Sequence, residues 1–86
     1  MYKIFLVEDD ETIAAAVARH IEAWGWEAVR CRDFTNVTGE FAACNPHLVL
    51  LDISLPCRNG YHWCAELRKL SRAPIIFLSS AADNMN

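Results

Sequence analysis

Three carboxylates in this sequence lie directly after apolar runs, where they could bind a cation or attack an electrophile. Residues 48–51 form a continuous apolar run that ends at Asp52, and residues 3–7 form a second run that ends at Glu8 and Asp9. In open α/β sheets, ligand chemistry collects in the crevice outside the carboxyl ends of the strands. Asp52 could instead only cap the turn that follows its strand. The acids after the second run favour a chemical role for Asp52, because two strands then end in carboxylates.

The chemistry predicted for these acids is divalent-cation binding. If the two runs are neighbouring strands, about 4.8 Å apart, then Glu8, Asp9 and Asp52 form a cluster whose like charges repel one another without a cation. Oxygen ligands of this kind suit a hard ion, and Mg²⁺ in particular is held by one or two carboxylates, water and a phosphate. Without the ion, the three acids would raise one another's pKa values and would repel the phosphate dianion that such an ion binds.

The rest of the pattern predicts the elements that bring these acids together. Four successive apolar residues cannot alternate between core and water, so residues 48–51 are typical of a central strand in a parallel sheet with helices on both faces. Residues 3–7 and 75–78 also read as buried strands, and residues 26–31 read as a half-exposed edge strand. The alternation of four strands and three helices with short connections requires right-handed crossovers.

The helices are predicted from apolar spacing and from capping residues. Asp10 is the expected N-cap of the first helix and Gly25 its expected C′ residue, and Asp33 is the expected N-cap of the second helix. The residues expected to face the core are Ile13, Val17, Ile21 and Trp24 in the first helix, Phe34, Val37 and Phe41 in the second, and Trp63, Leu67 and Leu70 in the third. Four aromatic residues are interpreted as packing residues: Trp24, Trp26, Tyr61 and Trp63.

Composition excludes several classes of protein. The 86 residues are enough for one domain, and 53% apolar with 22% charged residues is typical of a globular chain. The net charge of −3, with basic residues spread along the chain, predicts no direct contact with nucleic acid. No apolar run is long enough for a membrane span or a signal peptide, so we expect a cytoplasmic protein without membrane contact. The four cysteines have no zinc-site spacing and are expected to be reduced.

Several of these features combine into a family resemblance. Acids follow the first predicted strand, Asp52 follows the third, a loop of the form Leu55-Pro56-x-x-x-Gly60 comes next, and the hydroxyl of Ser79 follows the fourth. Each motif is weak alone, but all four in this order resemble the receiver domain of bacterial two-component response regulators, most closely those attached to winged-helix transcription factors. The resemblance implies a three-layer, flavodoxin-like (CheY-like) α/β fold with strand order 2-1-3-4 in these residues.

The resemblance also implies a role for each site residue. Asp52 matches the phosphoacceptor, which attacks the phosphohistidine of a sensor histidine kinase. Asp9 matches the direct Mg²⁺ ligand, Glu8 its acidic companion, and the backbone carbonyl of Ser54 a third protein ligand. Ser79 matches the hydroxyl that hydrogen-bonds a phosphoryl oxygen. Such a domain is a phosphoacceptor that assists its own phosphotransfer and dephosphorylation, and is not an enzyme in the ordinary sense.

The implied partners are the sensor kinase and a DNA-binding output domain outside these residues, and the resemblance also allows for a homodimer. The family pattern continues with a fifth strand, a lysine that pairs with the phosphoryl group and a closing helix, so we expect residues 1–86 to be the incomplete, N-terminal portion of a receiver.

Two other functions stay open from the sequence. A phosphorylation-independent interaction module is favoured by the missing lysine and opposed by the three acids. A small flavodoxin-like enzyme or cofactor carrier would need a phosphate-cradling loop where the first acids lie.

Overall fold

The computed structural model describes residues 1–79 and shows a parallel sheet between helices. Residues 80–86 of the predicted domain lie outside the described residues. The strands are β1 (Lys3–Val7), β2 (Glu27–Arg30), β3 (Leu48–Asp52) and β4 (Ile75–Leu78), and the helices are α1 (Glu11–Ala23), α2 (Val37–Cys44) and α3 (Gly60–Arg68). Every strand pair is parallel and the order is β2-β1-β3-β4, which confirms the prediction. None of the described helices is long and apolar enough to cross a membrane.

The two central strands carry the core on both of their faces. Phe5 of β1 and Val49 of β3 pack with residues of α2 and α3 in one cluster. Leu6, the next residue along β1, packs on the opposite face against Ala14 and Ala18 of α1. Successive side chains of a strand point to opposite faces. A strand covered by helices on both sides is therefore apolar along its covered length, as residues 4–7 and 48–51 show.

Helix α1 begins and ends where the sequence predicts. The Asp10 side chain accepts hydrogen bonds from the backbone N–H groups of Thr12 (2.9 Å) and Ile13 (3.1 Å), so it is the N-cap. Gly25 follows the C-cap residue Trp24 and has a φ of 86°, a left-handed conformation that glycine adopts without strain.

The predicted inward face of α1 is wrong in part. Ile21 is buried as expected, but Ile13 is 40% exposed and Trp24 is 74% exposed, and the core positions are instead Ala14 and Ala18. Alanine side chains allow the helix to lie close to the sheet, where larger side chains at the same positions would be overpacked. The buried stripe is therefore rotated by about one residue from the stripe of large apolar residues.

Helix α2 begins later than predicted. The Asp33 carboxylate accepts hydrogen bonds from the Thr35 backbone N–H (3.0 Å) and hydroxyl (2.6 Å), which closes a local turn instead of capping a helix. The helix starts after Asn36. Val37 and Phe41 are buried as predicted.

The prediction for α3 was also wrong in part. Trp63 and Leu67 are buried as predicted, but Leu70 lies beyond the end of α3 and is 58% exposed. β4 pairs with β3 on one side, and among the described residues its Ile76 and Phe77 are 51% and 38% exposed. The apolar run of β4 is the one expected of a strand that is buried in a complete receiver, and in residues 1–79 it pairs only with β3.

Candidate functional site

Neighbouring strands bring the three predicted acids to one point. Val7 of β1 pairs with Leu51 of β3, so the residues that follow them reach the same edge of the sheet. One carboxylate oxygen from each of Glu8, Asp9 and Asp52 lies within 4.8 Å of the other two. The structure therefore assembles the acidic cluster that the strand ends predicted.

Burial makes this cluster electrostatically costly. Asp52 is 3% exposed and Glu8 is 9% exposed, while Asp9 faces solvent. Burial raises the pKa of Glu8 from 4.5 to about 7, against the lowering effect of the Asp10 backbone N–H, which donates to Glu8 Oε2 at 3.0 Å. The negative charge of Asp52, a hydrogen bond between the Glu8 and Asp52 carboxyl groups, and the charge of Asp9 raise it further. A bound cation would offset the repulsion among the three carboxylates.

A small cavity opens above the acids. Its volume is about 200 Å³, and it is lined by Glu8, Asp9, Asp10, Ile13, Asp52 and Ser54. Asp10 borders the cavity while its side chain caps α1. Ile13 was expected in the core and is found at the rim instead. Its place in the first turn of a helix that directly follows the acids was the signal that could have identified it.

The loop after β3 fixes the Asp52 carboxylate through a backbone hydrogen bond. The Ser54 backbone N–H donates to Asp52 Oδ1 at 3.2 Å, and the Gly60 N–H donates to the Ile53 carbonyl at 2.8 Å. A Cβ atom at Gly60 would collide with the Asp52 carbonyl oxygen and would lie 3.0 Å from Ile53 Cα. Gly60 thus lets the first turn of α3 pack directly against the end of β3.

Ser79 reaches the same edge of the sheet from β4. Asp52 pairs with Leu78 in the sheet register, and the Ile53 backbone N–H donates to the Leu78 carbonyl at 3.1 Å. Ser79 is the next residue and is exposed. It lies beside the strand that carries Asp52 but does not line the acidic cavity.

The donor set of the cluster fits a hard divalent cation. Its three side chains offer only carboxylate oxygens: Glu8 and Asp9 follow β1, Asp52 ends the neighbouring β3, and all three are close enough to contact one ion. Such oxygen sets suit Mg²⁺, Mn²⁺ or Ca²⁺, whereas Zn²⁺ sites are usually built from cysteine and histidine. Residues Glu8, Asp9 and Asp52 therefore fit the magnesium ion that the sequence predicted.

Comparison with known proteins supports the same interpretation. The family model of the response regulator receiver domain matches residues 4–86. The chain belongs to this family. The receiver is 45% identical over 86 residues to the uncharacterized transcriptional regulatory protein YvcP of Bacillus subtilis, covering 100% of this chain and 36% of the relative. It is 41% identical over 80 residues to the sensory transduction protein BceR of B. subtilis, covering 93% of this chain and 35% of that protein. The chain thus spans little more than a third of these relatives.

Solved structures similar to this receiver share its fold. The N-terminal domain of the nisin resistance regulator NsrR, a lantibiotic response regulator, superimposes with a TM-score of 0.87 at 43% identity, covering 100% of this chain and 73% of that one. The BeF₃-activated N-terminal receiver domain of RstA from Klebsiella pneumoniae gives a TM-score of 0.86 at 33% identity, covering 98% and 72%. The expected CheY-like arrangement of β2-β1-β3-β4 with flanking helices is therefore confirmed.

Proposed function

We propose that this receiver accepts a phosphoryl group on Asp52 from the phosphohistidine of a sensor kinase, in the presence of Mg²⁺, and thereby controls a transcriptional output domain. The observation that carries the proposal is the meeting of three carboxylates within 4.8 Å at the ends of two central strands. Asp52 lies at the bottom of this cluster, almost fully buried at the end of β3. This placement suits a carboxylate that reacts in a defined orientation.

The proposed reaction is a direct phosphoryl transfer. A carboxylate oxygen of Asp52 forms the new bond to phosphorus, the bond between phosphorus and the imidazole nitrogen breaks, and its electron pair leaves with that nitrogen. The product on the receiver is an acyl phosphate. The Ser54 N–H, which donates to Asp52 Oδ1, restrains the rotation of the carboxylate. Such transfers depend mainly on positioning and on stabilising the charge of the phosphoryl oxygens.

The remaining site residues have separate tasks in this proposal. Asp9, Asp52 and the Ser54 carbonyl would hold Mg²⁺ directly, with Glu8 as the buried acidic companion. When bound, Mg²⁺ supplies positive charge to the phosphoryl oxygens. Ser79, at the end of the strand next to Asp52, would donate its hydroxyl to a phosphoryl oxygen.

The relatives support the proposed partners. One similar structure, with a TM-score of 0.83 at 27% identity, is that of the histidine kinase ThkA in complex with the response regulator TrrA. YvcP and a further relative, YxdJ of B. subtilis, are named as transcriptional regulatory proteins. By analogy, we infer a histidine kinase as phosphodonor, a DNA-binding output domain outside these residues and a cytoplasmic location. We also propose that the receiver forms a homodimer.

Intact-mass spectrometry tests the phosphoacceptor. The protein, extended by the C-terminal segment that completes the receiver, is incubated with Mg²⁺ and acetyl phosphate, and we expect it to gain the mass of one phosphoryl group. Asp52→Asn should gain none. The matched control is Asp33→Asn, which changes an exposed aspartate outside the acidic cluster and should be phosphorylated like the parent.

Two results would contradict the proposal. Equal phosphorylation of Asp52→Asn and the parent would show that another residue is the acceptor. A folded parent protein that gains no phosphoryl group from either acetyl phosphate or a phosphorylated sensor kinase would favour the phosphorylation-independent interaction module.

A further inference from the structure

Four aromatic rings form a row at the amino edge of the sheet, opposite the acidic site. Trp26, Tyr2 and His47 are the residues immediately before β2, β1 and β3, which are adjacent strands. The ring centroids of Tyr2 lie 5.9 Å from those of Trp26 and 5.2 Å from those of His47. Trp24 extends the row by stacking on Trp26 at 6.1 Å. We refer to Trp24, Trp26, Tyr2 and His47 as the aromatic row.

Backbone hydrogen bonds hold the aromatic row in place. The Glu27 N–H donates to the Tyr2 carbonyl at 2.8 Å, and the His47 N–H donates to the Lys3 carbonyl at 2.8 Å. The Lys3 N–H in turn donates to His47 Nδ1 at 2.9 Å. The rings therefore start from fixed strand ends, and a ligand would not have to order the backbone that carries them.

The rings are exposed in spite of their size. Trp24 is 74% exposed, Tyr2 is 58% exposed and Trp26 is 38% exposed, so interpreting Trp24 as a packing residue was wrong. Adjacent exposed aromatic residues are typical of interaction sites, where Trp and Tyr supply much of the binding energy.

Two cavities adjoin along the row. The larger is about 400 Å³ and the smaller about 200 Å³, and both are lined by Tyr2, Trp26 and His47. Trp24 borders the larger cavity, and Ile4 and Leu48 add apolar surface to the smaller one. The Tyr2 ring is nearly perpendicular to both of its neighbours, at 83° and 90°, so the three rings are in edge-to-face contact.

The chemistry of the row selects its ligand. Indole groups donate hydrogen bonds and accept none, and a neutral His47 whose Nδ1 accepts from Lys3 carries its proton on Nε2, which is a further donor. Among residues 1–79, no carboxylate side chain lines either cavity. The row therefore offers electron-rich ring faces beside N–H and O–H donors. Its complement is a ligand with apolar rings and many carbonyl acceptors.

We propose that the aromatic row binds a proline-rich protein segment in the polyproline II conformation. Proline has a flat apolar ring and no backbone N–H, and polyproline II leaves every carbonyl free to accept a hydrogen bond. Three adjacent strands span roughly 9.6 Å, close to the rise of one polyproline II turn, about 9.3 Å. Prolines at positions i and i+3 can thus contact Trp26 and His47, the rings on either side of Tyr2, as in other aromatic-lined surfaces that recognise such segments.

An NMR titration tests the proposal. Uniformly ¹⁵N-labelled protein is titrated with a capped decaproline peptide, and the three indole N–H signals are followed. We expect saturable shifts for Trp24 and Trp26 and none for Trp63, which is buried in α3 and lines neither cavity. Trp24→Ala and Tyr2→Ala should each raise the dissociation constant at least fivefold.

The matched control is Tyr61→Ala, because Tyr61 is 59% exposed and Tyr2 is 58% exposed. It should change the dissociation constant less than twofold. Three results would overturn the proposal: no saturable shift, equal shifts with a capped glycine-serine peptide of the same length, or equal weakening in Tyr61→Ala. Dimerisation through the row, detected by light scattering without peptide and abolished in Trp24→Ala, would assign the surface to a second copy and would also overturn it.

Discussion

Replacing Glu8 with glutamine should stabilise the metal-free protein at and above neutral pH. Burial is the main cause that raises the pKa of Glu8 to about 7 in the folded protein, whereas its ordinary value is 4.5. Between these pH values the folded state binds more protons than the unfolded state, so stability falls as the pH rises from about 4.5 to about 7 and stays low above. Glutamine carries no charge, and its side-chain carbonyl can still accept the Asp10 N–H.

The size of the effect follows from the same groups. A pKa raised from 4.5 to about 7 corresponds to at most about 3 kcal/mol of unfolding free energy. Two unit charges separated by the 4.8 Å of the cluster repel by a similar amount, about 3 kcal/mol, in a medium with a dielectric constant of about 20. Because the cavity opens to water, which screens the charges, we expect Glu8→Gln to gain about 1–2 kcal/mol above pH 7.

Urea unfolding in the presence of a chelator measures this difference across a series of pH values from about 4.5 to about 8. The unfolding free energies of the parent and Glu8→Gln should converge at the acidic end and separate as the pH rises. Saturating Mg²⁺ should reverse the order, because a ligand at 100 times its dissociation constant adds about 2.7 kcal/mol to a protein that binds it fully. Glu22→Gln, an exposed glutamate on α1, is the matched control and should keep the parent's pH profile.

Either of two outcomes would refute this reasoning. If the parent and Glu8→Gln show the same pH profile in chelator, the pKa of Glu8 is not raised in the folded protein. If Glu8→Gln gains as much stability from Mg²⁺ as the parent, Glu8 does not contribute to the metal site, and Asp9→Asn would then show whether Asp9 does.

Further predictions concern the frame around the site. Gly60→Ala should lower the unfolding free energy by about 2 kcal/mol or more in urea, because the added Cβ meets backbone atoms of β3. Gly39→Ala, whose Cβ has the flexible end of the Asn36 side chain as its nearest neighbour, should be neutral or slightly stabilising. Leu67→Ala should cost about 2–5 kcal/mol, and Leu70→Ala less than about 0.5 kcal/mol, since these side chains are 1% and 58% exposed. The Cys31 thiol, whose pKa burial raises to about 12, should resist iodoacetamide at about pH 8 until denaturant is added, as read by peptide mass mapping.

Much of the fold and the acidic site could be predicted from local sequence. A strand covered on both faces must be apolar at every position, so residues 48–51 identified a central strand, and the acid after it identified the reactive edge of the sheet. The caps of α1 were equally readable, because Asp10 and Gly25 act through their own backbone geometry. Each of these features is determined by residues that are close together in the sequence.

The features that were mispredicted depend on neighbours in space. The inward face of α1 followed Ala14 and Ala18, since helix packing depends on how closely a helix can approach the sheet. Leu70 is exposed because it lies beyond the end of α3, where the helical spacing no longer directs it to the core.

Sequence alone determined the alternation of elements and the acids at the ends of β1 and β3, since each is written into a short stretch of residue types. Tertiary structure decided which residues from different strands become neighbours at the ends of the sheet. Only the order β2-β1-β3 sets Trp26, Tyr2 and His47 side by side, although they are far apart in the chain. The same strand order assembles the acids at the opposite edge, because parallel strands bring all their amino ends to one edge of a sheet and all their carboxyl ends to the other.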